Sequence, residues 1–355
     1  MDQPKNRRAP SDVPVGSSRS RETVFPQEKA TLGALAYADI FEYPLTESEI
    51  YTYAVAYSMT RDEVRGVLYG KTRLENRLEK KGPFWFFKGR SHLVDRRRKR
   101  NELSRLLWMK AQRYLAWIAA LPFTKMVAVT GSMAMKNISG LDDDIDIIIV
   151  AENQRVFLVR SLAAFVSRLA RLSGIHLCPN FIISKDNLQI KDESLYTAHE
   201  LVQMLPVSGR KMYLKLWKSN PWIGLYLPNA SPRLHVLPEN DNSASLPRRF
   251  IELLLRGKTG RTLNRWEYRR KLARLKPDLS DSAGSGVFFS PNVFKAHFFD
   301  HQNKVLRQYI FRLEKLDIDD PPGCQTGSHV GFDESPSRDS LKLSDSKGRL
   351  PKEHL

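Results

Sequence analysis

Gly131-Ser132 and, eleven intervening residues later, Asp144-Ile145-Asp146 are the residues of this chain whose types and spacing could do chemistry together. Met126 to Val129 is a short apolar run ending in Thr130-Gly131-Ser132, which reads as a buried strand turning sharply into a short helix. Glycine lets the backbone approach a ligand closely. The Ser132 hydroxyl and its neighbouring N–H groups would face an incoming phosphate at a positive helix end. The run from Asp144 to Val150 alternates sides as a strand does, so Asp144 and Asp146 project from one face. Asp142 shares that face if the strand starts earlier, but the apolar run directly after Asp146 favours the later register. Bare, two such carboxylates repel and one tends to hold a proton. With Mg²⁺ between them both stay ionised, in the oxygen-rich setting that hard cations prefer. Phosphoryl chemistry uses that arrangement, because a metal pair neutralises charge on a triphosphate and lowers the pKa of an attacking hydroxyl.

Gly131-Ser132 followed at this distance by Asp144-x-Asp146 and an aliphatic strand resembles the signature of the nucleotidyltransferase superfold, which includes polymerase beta, kanamycin nucleotidyltransferase and small antitoxin-type enzymes. The resemblance implies that Gly131 and Ser132 contact the phosphates of a nucleoside triphosphate and that Asp144 and Asp146 are the catalytic carboxylates that bind Mg²⁺. The third carboxylate of such enzymes sits on a later, adjacent strand. The candidate strand is His176 to Ser184, where the best-matching position holds Asn180. This is a departure from the pattern: asparagine can offer an oxygen to a metal but cannot act as a general base. Glu200, on the following helix, could supply a base from another direction, as the aminoglycoside-modifying relatives do, or be an ordinary helix-face glutamate beside His199. The run from Pro179-Asn180-Phe181 through Asn220-Pro221-Trp222 to Leu227-Pro228-Asn229 is also similar to a bacterial nucleotidyltransferase-domain family of unassigned function.

The 355 residues, 41% of them hydrophobic, can bury a sizeable core in two or more domains. A formal net charge of +18 suits a polyanionic partner such as nucleic acid or a nucleotide polyphosphate, though a basic soluble protein is the plainer reading. Cys178 and Cys324 are the only cysteines and have neither metal spacing nor reason to pair, so a reduced, cytoplasmic setting is expected. No apolar run has the length of a membrane span, and the N-terminus has no apolar segment of a secretory signal, so no membrane partner is expected.

The elements that must position these residues follow from the chain in order. Residues 1–27 are rich in Pro, Ser and Arg and read as a disordered tail. Helical spacing of Leu32, Leu35, Ala36 and Ile40 starts the order, and Thr46 with Glu49 and Thr60 with Glu63 match capping boxes that open two more helices. Leu74 to Leu78 and Phe84 to Phe87 flank a basic turn at Gly82. Three helices and a hairpin over 28–95 resemble a winged-helix domain. That resemblance implies nucleic-acid contacts from Arg61, Arg65 and Lys71 if the domain reads DNA, and none if it only contacts protein. Asp95 to Arg100 opens a long connecting helix, 96–120, whose basic start could hold phosphates or be a solvated face.

Residues 121–230 then form the α+β core: two strands, the amphipathic helix Arg155 to Leu172, the Asn180 strand, and a helical layer with one helix stopping at Pro206 and another over Lys211 to Lys218. A C-terminal helical region, 231–316, contains a basic helix from about Arg248 to Leu275 and an amphipathic helix from Val293 to Leu316. In the first, arginines interleave with Trp266 and Tyr268, a pattern that could bind single strands by charge and stacking or merely snorkel over the core. In the second, His297 and His301 have a spacing that could ligate a metal, with no third ligand evident. The tail 317–355 reads as disordered. The expected function is Mg²⁺-dependent transfer of a nucleoside monophosphate to a hydroxyl on a nucleic acid, protein or other acceptor. The alternative is an inactive transferase fold serving as a winged-helix DNA-binding regulator or nucleotide sensor.

Overall fold

The computed structural model describes residues 25–72, 74–233, 246–280, 288–295, 299–316 and 318. The expectations for the two tails up to residue 24 and from 319, for the loop segments 234–245 and 281–287, and for His297 and Cys324 lie outside the described residues.

The fold is α+β. The N-terminal unit runs α1 (Pro26–Ile40), β1 (Leu45–Thr46), α2 (Glu47–Thr52), α3 (Arg61–Tyr69), β2 (Leu78–Lys81) and β3 (Phe84–Phe87), with an antiparallel sheet in the order β1-β3-β2. Both capping boxes form: the Thr46 hydroxyl accepts from the Glu49 N–H at 3.3 Å while the Glu49 carboxylate takes the Thr46 N–H at 2.8 Å, and Thr60 with Glu63 repeats the exchange. Each exchange satisfies two donors that a helix start otherwise leaves open. The hairpin turns at Gly82, whose φ of +61° suits glycine. Its first strand starts at Leu78; Leu74 to Arg77, expected within it, is a turn.

A 29-residue helix, α4 (His92–Ala120), leads into the larger sheet. Next come β4 (Thr124–Val129), α5 (Gly131–Ala134), β5 (Ile145–Ala151), α6 (Val156–Arg171), β6 (Leu177–Ser184) and α7 (Leu195–Gln203). The chain continues through β7 (Leu205–Ser208), α8 (Arg210–Lys218), α9 (Ile223–Tyr226), α10 (Leu246–Leu255), α11 (Lys258–Ser280), β8 (Phe288–Ser290), β9 (Val293–Lys295) and α12 (Phe299–Lys315). The strands order as β7-β4-β5-β6-β9-β8. Among the described residues, only β5 and β6 pair in parallel, joined by the α6 crossover; the other neighbours in this sheet are antiparallel.

Strand alternation sorts the apolar side chains into two cores. Val127, Val129, Ile145, Ile147 and Ile149 pack with α4 and α6 on one face. Met126, Ala128, Ile148 and Val150 face the other way, towards the N-terminal unit, α7, α8 and α12. Asp144 and Asp146 share the parity of Ile148 and Val150, which puts the two carboxylates on the side that the N-terminal unit covers.

Several boundaries differ from expectation. Leu205 to Ser208, where a helix was expected to stop at Pro206, is a strand: the chain leaves α7 at Met204 and pairs with β4. As an edge strand, β7 tolerates the missing proline N–H. Val293 to Lys295, expected to begin the last helix, pairs with β6, so the C-terminal region is not wholly helical and α12 begins at Phe299. The expected single basic helix breaks at Arg256-Gly257 into α10 and α11. The long helix is more than a connector, because Leu107, Ala111, Tyr114, Leu115 and Ile118 sit in the core. Much of its basic start is engaged in holding the N-terminal unit: Arg96 and Arg100 pair with Glu42, and Arg97 with Glu49. Among the described residues, no helix is long and apolar enough to cross a membrane.

Candidate active site

The turn after β4 is held by its neighbour strand. The Thr130 N–H donates to the Asp146 carbonyl at 3.0 Å, and Gly131 follows with φ +64°. A Cβ on Gly131 would lie 2.9 Å from Asp146 Oδ2, closer than real Cβ contacts come. Both the left-handed backbone and the lack of space require glycine here. Ser132 is exposed just beyond it.

Asp144 stands exposed immediately before β5, with His176 Nδ1 3.5 Å from its carboxylate. Asp146 is half-buried one turn of the pleat further in. Burial, and secondarily the Asp144 charge, push its carboxyl up to about 6. Asp142 is exposed and does not line the cavity described below. The pairing of β5 with β6 is regular at Asp146↔Cys178 and resumes at Ile148↔Phe181, so β6 carries one extra residue around Pro179 and Asn180. Such a bulge re-aims side chains. Here the Asn180 Nδ2 donates to Asp146 Oδ1 at 2.8 Å, while the Asn180 Oδ1 is buried without a partner.

Glu200 reaches the same place from α7. The Gly131 N–H and the Tyr196 hydroxyl donate to its carboxylate, yet burial, with Asp146 behind it, pushes the group up to about 8. It is therefore more than a solvated helix-face glutamate: it touches the Gly131 turn and faces the acidic strand. Its neighbour His199 is 2% exposed and held neutral by burial. The ring stacks on Tyr37 with centroids 3.7 Å apart, and the Gln203 amide lies 3.2 Å from Nδ1. With that amide donating, the ring proton sits on Nε2, a buried atom without a partner.

These groups share one cavity of about 490 Å³. Its sheet side is formed by Thr130, Gly131, Ser132, Asp144, Asp146 and Asn180. Its opposite wall is aromatic and belongs to the N-terminal unit: Tyr37, Phe41, Tyr43 and Tyr53. Thr130 Oγ1, Asn180 Oδ1 and His199 Nε2 are buried, without partners, and all on cavity-lining residues. An unsatisfied buried polar atom costs about 1–3 kcal/mol, so these three groups call for polar partners inside the cavity, from water or from a ligand. Among the described residues, no lysine or arginine lines the cavity, and no group of three or more His, Cys, Asp or Glu is gathered to hold a metal by itself.

The structure thus brings Gly131, Ser132, Asp144, Asp146, Asn180 and Glu200 to one place. Tyr37, Tyr53, Thr130 and His199 were not anticipated. The polar members of α7 at positions 196, 199, 200 and 203, breaking an otherwise apolar helix at helical spacing, were the available signal for His199. Arg61, Arg65 and Lys71 lie apart from the cavity. Arg65 pairs with Glu47 at 2.8 Å and with Asp62 at 3.6 Å, Arg61 lies over the Tyr51 ring, and Lys71 is exposed just past α3. His301 lines the cavity rim. Comparison of the chain with protein-family models, with curated proteins and with solved structures gave no match.

Proposed function

We propose that this protein is a Mg²⁺-dependent nucleotidyltransferase, moving a nucleoside monophosphate from a triphosphate to a hydroxyl acceptor. The observation that carries the reading is the packing of the Gly131 turn directly on Asp146, with Asp144 beside it at the mouth of a ligand-sized cavity. In this reading the larger sheet with its helices is a nucleotidyltransferase core, and the N-terminal unit, three helices and a three-stranded sheet, is a winged helix. The donor set suits a hard dication: two carboxylates, and an Asn180 oxygen with no other partner, leave room for the water and phosphate oxygens that Mg²⁺ usually retains. Bound there, Mg²⁺ would neutralise triphosphate charge and acidify the attacking hydroxyl.

The remaining tasks fall to the chain itself. Gly131, lacking a side chain, lets the phosphates approach the turn closely, and Ser132 holds them with its hydroxyl. Glu200 is positioned to take the acceptor proton, in the place of the third carboxylate that Asn180 does not supply. The aromatic wall of the N-terminal unit excludes water from the reacting groups and gives the base or the acceptor a surface to stack on.

A second reading, nucleotide sensing without transfer, is favoured by Asn180 alone. Labelled triphosphates incubated with the protein, Mg²⁺ and cell extract distinguish the two. Transfer that falls by about 10³-fold or more in Asp144→Ala/Asp146→Ala is the expected result, since those groups would hold the charge-neutralising ion. Saturable triphosphate binding with no transfer in any fraction supports the sensor reading. Neither binding nor transfer removes both.

A further inference from the structure

The cations of α11 have no role in the cavity, which lies across the sheet from them. Leu263 and Tyr268 pack α11 onto the core that contains α4 and α6, leaving its outer side to solvent. Arg261, Arg265 and Arg269 stand there at every fourth position, about 6 Å apart along the axis, all exposed. Arg256, at the break before the helix, and Lys258, its first residue, extend the row and are exposed as well.

Nearby carboxylates are committed elsewhere. Glu252 takes Arg248 at 3.1 Å and the Phe123 N–H at 2.7 Å. Glu267 takes Arg270 at 2.7 Å and the Ser161 hydroxyl at 2.9 Å. Glu152 is clasped by Lys125 at 3.1 Å and Lys185 at 2.5 Å. Among the described residues, none of the five cations in the row has a carboxylate within ion-pairing distance. A solvated helix face ordinarily interleaves the two signs, and this one does not.

Two further observations indicate what covers the row. Trp266 is 55% exposed beside it, with the Arg270 guanidinium 5.5 Å from its ring. An indole this exposed on a charged ridge, with one guanidinium near its ring, offers a surface on which a base can stack. Second, the row leads into a recess of about 400 Å³ where the cations Arg256, Arg261, Arg155, Lys125 and Lys185 outnumber the two paired carboxylates, Glu152 and Glu252. Arg155 is 4% exposed there, and its Nε is buried without a partner, although Nη2 donates to the Leu255 and Arg256 carbonyls and Nη1 to that of Gln154. Arg155 and Arg261 repel each other across the recess. An anion between them would relieve that repulsion and satisfy the buried N–H.

We propose that the outer face of α11, with the recess at its start, binds the sugar-phosphate chain of a single-stranded nucleic acid, Trp266 stacking on a base. An acidic protein surface would use the cations but not the open indole, and a duplex would present its bases edge-on rather than to a ring. This surface is independent of the proposed transferase reaction, whose failure would leave it standing.

The test is fluorescence anisotropy of labelled oligo(U) and oligo(dT) 20-mers, titrated with the full chain over a salt series. The expected result is binding whose log K falls with log salt by about 0.7 per phosphate neutralised, hence a slope of about 3 or more for five cations. Arg261→Ala/Arg265→Ala/Arg269→Ala should lower that slope by about 2, and Trp266→Ala should weaken binding by about 5- to 100-fold with the slope retained. These are exposed positions, and unchanged thermal unfolding of the variants checks that they fold. Absent binding at low salt, an unaltered slope in the triple variant, or equal affinity for poly-glutamate of the same length would overturn the proposal.

Discussion

Glu200 and Asp146 carry opposite demands at a single place. Burial pushes their carboxyls up to about 8 and about 6, with the Asp146 charge adding to the first and the Asp144 charge to the second, yet the proposed chemistry needs them ionised. Both folded-state values lie above those of the unfolded chain, so the folded protein holds protons more tightly. The stability these protons contribute is full below about pH 4 and is lost as pH rises through 6 and then 8. In chelator, therefore, Glu200→Gln should be more stable than the native protein at pH 8, by about 1–3 kcal/mol or a few degrees in Tm, and equal to it at pH 5. Mg²⁺ would take the place of the protons, so it should raise the native Tm at pH 8 more than at pH 5. Thermal unfolding at the two pH values, with and without Mg²⁺, measures both effects. A pH-independent difference between Glu200→Gln and the native chain would detach Glu200 from Asp146. The carboxylates on β5 were legible from sequence because strand alternation is local: two residues apart means one face. His199 and Tyr37 were not, because their stacking joins residues 162 positions apart in the chain.

At the scale of elements, the β4–α5 turn is where local conformation and site chemistry coincide. Gly131→Ala introduces a left-handed non-glycine residue, at about 1–2 kcal/mol, and also presses a methyl group on Asp146 Oδ2. Gly174 offers a control, since its φ of +70° carries the same backbone strain while nothing lies within 4 Å of the Cβ it would gain. Gly131→Ala should thus cost about 1 kcal/mol or more beyond Gly174→Ala in denaturant unfolding, and it alone should weaken triphosphate binding, by about 10-fold or more. Equal losses in the two variants would mean that Asp146 simply moves aside. The strands missed from sequence share a physical cause. Leu205 to Ser208 contains a proline and pairs on one side only, and Val293 to Lys295 is three residues long before a helix of similar apolar content. Neither is long enough for a period of two to be distinguished from the adjoining period of 3.6. The capping boxes at Thr46 and Thr60 were legible for the opposite reason, because the partner lies three residues away.

The whole molecule depends on how firmly the aromatic wall of the N-terminal unit is kept against the sheet, since the cavity has one wall from each. Asp39 of α1 is held by Arg90 at 2.5 Å and by Arg312 of α12 at 3.0 Å. The larger clamp is Arg97 of α4, whose two Nη atoms each meet a Glu49 oxygen at 2.8 Å while its guanidinium lies over the Tyr43 and Phe84 rings. Arg97 holds the Glu49 carboxyl below its ordinary value despite burial, so this pair stabilises above about pH 4.5 and is lost as pH falls. Removing one partner leaves a largely buried charge uncompensated. Arg97→Met should cost about 2–3 kcal/mol, and Glu49→Gln, which keeps an acceptor for the Thr46 N–H, about 1–2 kcal/mol. Because the two changes remove one interaction, Arg97→Met/Glu49→Gln should cost at least about 1 kcal/mol less than the sum. The functional consequence follows from Tyr43, which lies under Arg97 and also lines the cavity. Release of the clamp should weaken ligand binding several-fold at neutral pH while leaving Asp144 and Asp146 in place. Denaturation of the four proteins at pH 7 gives the coupling, and triphosphate binding by the same set gives its effect on the site. Additive stabilities with unchanged binding would mean that the N-terminal unit is seated by its apolar core alone, and that the basic run at the head of α4 answers to something outside the chain.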